Sequence, residues 1–154
     1  MELSYKTDNE IATFELGQKL GQALVAGDFV ALSGDLGAGK TAFAKGIAKG
    51  LEVEEPVTSP TFTIVQQYEG RLSLFHFDTY RLEECWDLED IGYEDYFFGE
   101  GVCLVEWPEK VWPLLPGDFL HVTIEKCLAE SPDCRLLRLV AKGDRYVKLL
   151  EELN

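Results

Sequence analysis

The sequence predicts an α/β fold: a P-loop NTPase-like three-layer domain whose central mixed, largely parallel sheet is flanked by helices. The first observation behind this prediction is a G-x-x-x-x-G-K-T motif at 34–41. The second is its context, because the apolar run 29–33 precedes the motif and a helix-periodic segment follows it. The third is the length, since 154 residues with 46% hydrophobic content suffice for one core. We therefore expect a single domain over 1–154.

The first third of the chain predicts a helix, a strand and a second helix. T-x-x-E at 7–10 matches a capping box and predicts a helix over about 9–26. The short apolar run 29–33 predicts a strand that leads into the glycine-rich loop. Apolar residues at every fourth position of 43–51 then predict a helix that ends near Gly50.

The rest of the chain predicts mainly strands. Alternating or apolar runs bounded by turn residues predict strands at 61–68, 72–78, 101–107, 118–125 and 135–142. The turn-like 69–71 joins the first two of these strands into a hairpin. The acidic stretch 82–98 predicts short helices, and the segment 143–154 predicts a closing amphipathic helix capped by Asp144.

The charge balance argues against strong direct binding to nucleic acids. Lys and Arg total 14 and Asp and Glu total 28, for a formal net charge of −14. Affinity for RNA or DNA depends largely on cations that neutralise phosphates. If the protein acts on a nucleic acid, another subunit is expected to hold it.

Cysteine usage and the chain's start favour a cytoplasmic protein. The four cysteines form no C-x-x-C pair, so reduced thiols are a better interpretation than a zinc site. The N-terminus lacks the basic and apolar regions of a secretory signal. The sequence also has no run of about 18 apolar residues, so we expect no membrane span.

The glycine-rich loop has the residues that a phosphate site needs. Gly34, Gly37 and Gly39 allow tight turns that direct backbone N–H groups inward. Lys40 can reach the β- and γ-phosphates, and the Thr41 hydroxyl can ligate Mg²⁺. The loop therefore predicts nucleotide binding.

Two acids follow apolar runs and are candidates for the metal and for water. Asp78 ends one predicted strand and Glu106 ends another. Ligands of open α/β sheets bind beyond the carboxyl ends of strands. We expect one acid to contact Mg²⁺ and the other to position the attacking water, although either residue alone matches an ordinary strand end. The residues alone do not distinguish the two roles.

Three other features have both a functional and an ordinary interpretation. The segment 58–61 lies where switch segments approach the γ-phosphate, but it also matches a simple turn. Trp107 and Trp112 can cover a base or dock a partner, and core filling is the equal alternative. The acidic stretch 82–97 is interrupted by aromatics, so it predicts either a solvated face or a partner surface.

Several nucleotide-dependent classes are excluded by what the sequence lacks. No [NT]-K-x-D motif follows the loop, so the guanine-reading signature of regulatory GTPases is missing. No LSGGQ-type signature is present. Small-molecule kinases usually carry an arginine-rich lid. Here Arg135 and Arg138 lie in a predicted strand, which is a poor lid.

Together these segments resemble the TsaE (YjeE) family of small ATPases in bacterial tRNA threonylcarbamoyladenosine biosynthesis. The motifs that carry the resemblance are GDLGAGKT (34–41), TSPTF (58–62), HFDTYRL (76–82), DIGYEDYF (90–97) and LVEWPEK (104–110). The glycine-rich motif is generic, whereas HFD-x-YRL together with EWPE is specific.

The resemblance implies roles for particular residues. It implies catalytic roles for Lys40, Asp78 and Glu106, with Thr41 and Glu106 as ligands of Mg²⁺. It implies that ATP is bound by Glu10, Asp35, Leu36, Gly37, Ala38, Gly39, Lys40, Thr41, Thr61, Trp107 and Glu109. In this family the ATPase acts with the TsaD–TsaB complex, which modifies adenosine 37 of tRNAs reading ANN codons.

The expected function is therefore a Mg²⁺-dependent ATPase, weak alone, that supports turnover of TsaD–TsaB. Two alternatives are kept. A small-molecule phosphotransferase predicts rapid phosphate transfer to an acceptor. A non-catalytic nucleotide-sensing module predicts ATP binding without hydrolysis.

Overall fold

The computed structural model describes residues 1–35, 37–58 and 64–154. The strands are β1 (Glu2–Thr7), β2 (Phe29–Ser33), β3 (Val65–Glu69), β4 (Ser73–Asp78), β5 (Val102–Glu106), β6 (Phe119–Lys126) and β7 (Arg135–Lys142). The α-helices are α1 (Glu10–Ala23), α2 (Lys40–Gly50), α3 (Tyr93–Phe97) and α4 (Asp144–Leu153). Cys85–Ile91 and Pro108–Leu114 form 3₁₀ helices.

The strands form one seven-stranded mixed sheet in the order β1-β7-β6-β2-β5-β4-β3. The four neighbouring strands β6, β2, β5 and β4 run parallel to one another. The remaining pairs, β1–β7, β7–β6 and β4–β3, are antiparallel. The predicted mixed sheet is confirmed, and its parallel part brings the carboxyl ends of β2, β4 and β5 to one edge.

Both faces of this sheet are covered, as the apolar strand runs predict. Along β2, Val30 and Leu32 face a core shared with α1, α2 and α4. Phe29 and Ala31 face a second core, formed with α3 and the two 3₁₀ helices. This arrangement confirms the predicted three-layer architecture.

Helices α1 and α2 pack with their backbones in direct contact. The contact consists of glycines from both helices, which are Gly17, Gly21, Gly46 and Gly50. A Cβ atom added to Gly46 would lie 2.1 Å from the backbone oxygen of Phe14. No larger residue fits there without separating the helices.

The N-terminal elements differ from the prediction. Residues 2–7 form β1, which was not predicted, and pair with β7 at the end of the sheet. The predicted capping box is wrong, because Asn9 caps α1 through its side chain, which accepts from the N–H of Ala12 at 2.8 Å. Thr7 instead hydrogen-bonds the hydroxyl of Thr13 at 2.7 Å.

Smaller differences concern element ends. Asp144 does not cap the closing helix, because Gly143 occupies that position and Asp144 is the first helical residue. Part of the predicted strand 61–68 lies outside the described residues, and β3 covers Val65–Glu69. No described helix is long and apolar enough to cross a membrane.

Candidate functional site

A cavity of about 420 Å³ opens beside the glycine-rich loop, at the carboxyl ends of the parallel strands. The residues that line it are Glu10, Thr13, Gly37, Gly39, Lys40, Thr41, Ala42, Asp78, Glu106, Trp107, Asp133 and Arg135. Eight of the residues predicted for the site are in this set. The structure therefore brings most of the predicted site together around one cavity.

The loop adopts the backbone conformation that its glycines allow. Gly37 and Gly39 have φ angles of 79° and 104°, which disfavour any residue with a Cβ. Gly39 is the N-cap of α2, and no side chain caps this helix end. The backbone N–H groups at the start of α2 and the positive end of its helix dipole are suited to bind an anion.

Lys40 is buried and has no hydrogen-bonding partner among the described residues. The residue is only 6% exposed, and within the described part of the chain its Nζ atom has no hydrogen-bond acceptor. Nζ lies 3.6 Å from the centroid of the Trp107 ring, a cation–π contact. Burial lowers the pKa of Lys40, and the nearby carboxylates of Glu106 and Asp78 oppose that change. A buried amino group without a hydrogen-bond acceptor in the described part of the chain is suited to bind an anion.

The two predicted strand-end acids are neighbours in the sheet. Asp78 and Glu106 are paired in the parallel register of β4 and β5. Asp78 is half-buried and accepts a hydrogen bond from the N–H of Tyr80 at 3.0 Å. Glu106 is only 4% exposed. Both carboxylates therefore face the phosphate loop from adjacent strand ends.

Two polar residues that the sequence analysis did not single out support Glu106. His76, which is 1% exposed, places Nε2 at 2.5 Å from the Glu106 carboxylate. The hydroxyl of Thr79 lies 3.0 Å from the carbonyl oxygen of Glu106 and 2.7 Å from that of Trp107. These two hydrogen bonds hold a turn in which the backbone of Trp107 has a left-handed conformation, with φ 59°. Both residues belong to the HFDTYRL motif, and that motif is the sequence signal that could have identified them as site residues.

The remaining predicted residues do not all join this cavity. Asp35, Ala38 and Glu109 line a neighbouring cavity of about 520 Å³, which Trp107 also lines. There the Glu109 carboxylate accepts a hydrogen bond from the Ser33 hydroxyl, which lies 2.9 Å from Nε2 of His121. Leu36 and Thr61 lie outside the described residues.

Comparison with known proteins identifies the family. The model of the family "Threonylcarbamoyl adenosine biosynthesis protein TsaE" matches residues 7–132. This chain belongs to the TsaE family. Family membership confirms the predicted resemblance and assigns the chain to threonylcarbamoyladenosine biosynthesis.

Individual TsaE relatives match over most of the chain. The "tRNA threonylcarbamoyladenosine biosynthesis protein TsaE" of Bacillus subtilis is 42% identical, over 99% of this chain and 94% of its own length. The protein of the same name from Treponema pallidum is 48% identical, over 88% and 90%. The crystal structure of Bacillus subtilis YdiB superposes with a TM-score of 0.83 at 38% identity, covering 99% and 94% of the two chains.

In this TsaE family member, Arg135 also lines the cavity, although the sequence predicts it only as part of a strand. It is the first residue of β7, and its guanidinium donates to the carbonyl oxygens of Pro132 at 2.8 Å and Cys134 at 2.9 Å. A weaker bond of 3.4 Å reaches the carbonyl oxygen of Gly37 in the phosphate loop. Only the hairpin register of β6 and β7 brings Arg135 here, so no local pattern could have revealed it.

Proposed function

We propose that this chain is a Mg²⁺-dependent ATPase subunit that supports turnover of the TsaD–TsaB complex. In that role it is required for threonylcarbamoyl modification of adenosine 37 in tRNAs that read ANN codons. The observation that carries the proposal is the buried amino group of Lys40. It has no hydrogen-bond acceptor among the described residues and lies between a glycine-rich loop and two carboxylates.

The residues of the cavity fit a nucleotide that carries a divalent cation. Four carboxylates line it, from Glu10, Asp78, Glu106 and Asp133, against the two cations Lys40 and Arg135. A bare polyphosphate would be repelled by this excess of negative charge. Mg²⁺ bound together with the phosphates would offset this repulsion, which favours the metal complex of ATP as the ligand.

Thr41 and Glu106 are the residues that would hold Mg²⁺. No group of three or more His, Cys, Asp or Glu side chains that could hold a metal ion occurs in the described ranges. Magnesium at nucleotide sites needs only one or two protein carboxylates, since phosphates and waters supply the other ligands. When bound, Mg²⁺ neutralises negative charge on the phosphates and so assists their transfer to water.

The other residues act through position and charge. The Lys40 ammonium would leave the Trp107 ring to pair with a phosphate, which is a stronger partner for a desolvated cation. Asp78, on the strand next to Glu106, would accept a hydrogen bond from the attacking water. The N–H groups at the start of α2 would hold the remaining phosphate oxygens.

Hydrolysis by the chain alone is expected to be slow. The cavity's arginine, Arg135, is held by backbone carbonyls of its own turn. An arginine that stabilises the transferring phosphate raises rates by about 10³–10⁵-fold in other NTPases. The TsaD–TsaB partner would stimulate hydrolysis, and the ATP and ADP states must differ in affinity for that partner for the cycle to drive turnover.

The test is reconstituted threonylcarbamoyl transfer with TsaD–TsaB over many turnovers. We expect Lys40→Ala to reduce the yield to that obtained without this chain. Lys45→Ala is the matched control, because Lys45 lies one turn further along α2, is exposed and does not line the cavity. Equal multiple-turnover yields from wild type and Lys40→Ala would refute the proposal.

A magnesium titration tests the metal assignment separately. Glu106→Ala should weaken Mg²⁺-dependent ATP binding by about tenfold or more, since it removes a ligand. Glu106→Gln preserves the side-chain volume and can still hydrogen-bond His76, so it controls for the fold. If magnesium dependence is unchanged in both folded variants, Glu106 is not a ligand of the metal.

A further inference from the structure

Cys127 and Cys134 lie opposite each other at the end of the β6–β7 hairpin. The antiparallel register pairs Lys126 with Arg135, so the two cysteines form the next pair outward. The N–H of Cys127 donates to the carbonyl oxygen of Cys134 at 3.1 Å. Directly opposed residues in such pairs have Cα atoms about 4.5–5.5 Å apart. This spacing lies within the range of about 4.4–6.8 Å that disulfides span.

The two paired cysteines differ in access to solvent. Both cysteines are free, and the Cys134 thiol donates a weak hydrogen bond to the Glu130 carboxylate at 3.8 Å. Cys127 is half-buried, whereas Cys134 is 1% exposed. The neighbouring Cys127 thiol and burial raise the pKa of Cys134 to about 11. Cys127 is therefore the thiol that an external reagent reaches first, and the buried Cys134 reacts after it.

The cysteine pair is connected directly to the nucleotide cavity. Asp133 and Arg135, the two neighbours of Cys134 in sequence, both line that cavity. The Arg135 guanidinium donates to the carbonyl oxygen of Cys134 at 2.9 Å and to that of Gly37 at 3.4 Å. A backbone shift at Cys134 is therefore transmitted to the phosphate loop through one side chain.

We propose that Cys127 and Cys134 are a modification site at which a reversible disulfide weakens nucleotide binding. The co-reactant is a low-molecular-weight disulfide. The Cys127 thiolate attacks one of its sulfurs, which releases one thiolate and leaves a mixed disulfide on Cys127. Cys134 then loses its proton and attacks the Cys127 sulfur, which releases the second thiolate. The two cysteines are oxidised, and the small disulfide is reduced to two thiols.

The direction of the effect follows from the distances around Arg135. A disulfide brings the two sulfurs to about 2.05 Å, shorter than any contact between unbonded thiols. The turn that carries the Cys134 carbonyl must adjust, and the bond from Arg135 to Gly37 is already long at 3.4 Å. Loss of that bond would free the loop to sample conformations that do not bind phosphate. This second half of the proposal rests on the proposed nucleotide-binding function.

Mass spectrometry of the full chain tests the disulfide without reference to activity. After incubation with oxidised glutathione, the wild type should be two hydrogen atoms lighter, with the bond mapped to the peptides that contain Cys127 and Cys134. Cys134→Ser should instead retain glutathione on Cys127, and Cys85→Ser should behave as the wild type. A wild type that accumulates only mixed disulfides, or that pairs other cysteines, overturns the proposal.

Binding of a fluorescent ATP analogue to the reduced and oxidised wild type tests the consequence. We expect oxidation to raise Kd by about fivefold or more, and a reducing agent to restore it. Cys127→Ser should bind equally well before and after the same treatment. An oxidised wild type with unchanged affinity overturns the effect on binding. If the reduced protein binds no nucleotide, the proposed function fails. The mass-spectrometry experiment still determines independently whether the disulfide forms.

Discussion

The buried contact between His76 and Glu106 permits a quantitative test of how the site is held. The two side chains are 1% and 5% exposed, and their polar atoms lie 2.5 Å apart. His76→Phe keeps a flat ring in place but removes the partner of the carboxylate. Breaking a buried pair on one side typically costs about 3–5 kcal/mol, because the remaining charge stays desolvated. We expect His76→Phe to lower the free energy of unfolding by that amount.

A double-mutant cycle separates this effect from lost packing. Glu106→Leu removes the carboxylate, so His76→Phe added to Glu106→Leu should cost far less than His76→Phe alone. The expected coupling free energy is about 2–3 kcal/mol, near the upper end for contacting residues. Urea unfolding of the four nucleotide-free proteins, followed by tryptophan fluorescence, measures it by linear extrapolation.

His121→Phe provides a matched control for this cycle. His121 is also a strand histidine, but it is half-buried and contacts a neutral hydroxyl, that of Ser33. We expect its replacement to cost about 1 kcal/mol, the usual contribution of one hydrogen bond. If His76→Phe costs no more than His121→Phe, or if the cycle is additive, then Glu106 is not stabilised as a buried carboxylate by His76.

Two further predictions concern stability away from the cavity. Gly46→Ala should lower the free energy of unfolding by about 3 kcal/mol, because its methyl group would overlap the Phe14 carbonyl. Gly117→Ala is the control and should leave stability unchanged, because no described atom lies within 4 Å of the added methyl group. Equal melting temperatures for the two variants would contradict this prediction. Tyr146→Phe should cost about 1–3 kcal/mol, because the buried N–H of Phe29 loses an acceptor at 2.8 Å. Burial raises the Tyr146 pKa to about 12, above that of the unfolded chain, so its stabilising effect is present below pH 10 and is lost towards pH 12. Tyr146→Phe should therefore flatten the alkaline loss of stability, and an unchanged alkaline profile would contradict the assignment.

The parts of the site that could be predicted are those that local sequence determines. The spacing of the glycine-rich motif predicts the positions of Gly37, Gly39 and Lys40 in the site, because the three residues lie within one short loop. Asp78 and Glu106 could be located because a strand end is visible as the end of an apolar run. That these two acids are adjacent depends on β4 and β5 pairing in parallel, which the fold class predicts but the residues alone do not.

The parts that could not be predicted depend on contacts between distant segments. Strand β1 lies at the edge of the sheet and its exposed residues are polar, so its apolar signal is weak. Pairing with β7 and packing of Leu3 and Tyr5 against the core stabilise it. Asn9 rather than Thr7 caps α1, since the Thr7 hydroxyl is hydrogen-bonded to the hydroxyl of Thr13. Arg135 reaches the cavity only through the register of a hairpin.

The glycine contact between α1 and α2 has a mechanical consequence for any nucleotide cycle. At these glycines the two helix backbones are in direct contact, so sliding one helix along the other would bring backbone atoms into a clash. Glu10 and Thr13 on α1, and Lys40 and Thr41 on α2, therefore belong to one rigid wall of the cavity. We therefore expect movement that accompanies ligand exchange outside this wall, at the turn of Trp107 and at the hairpin of Arg135. A partner that senses the nucleotide state is expected to read those two segments rather than the helices.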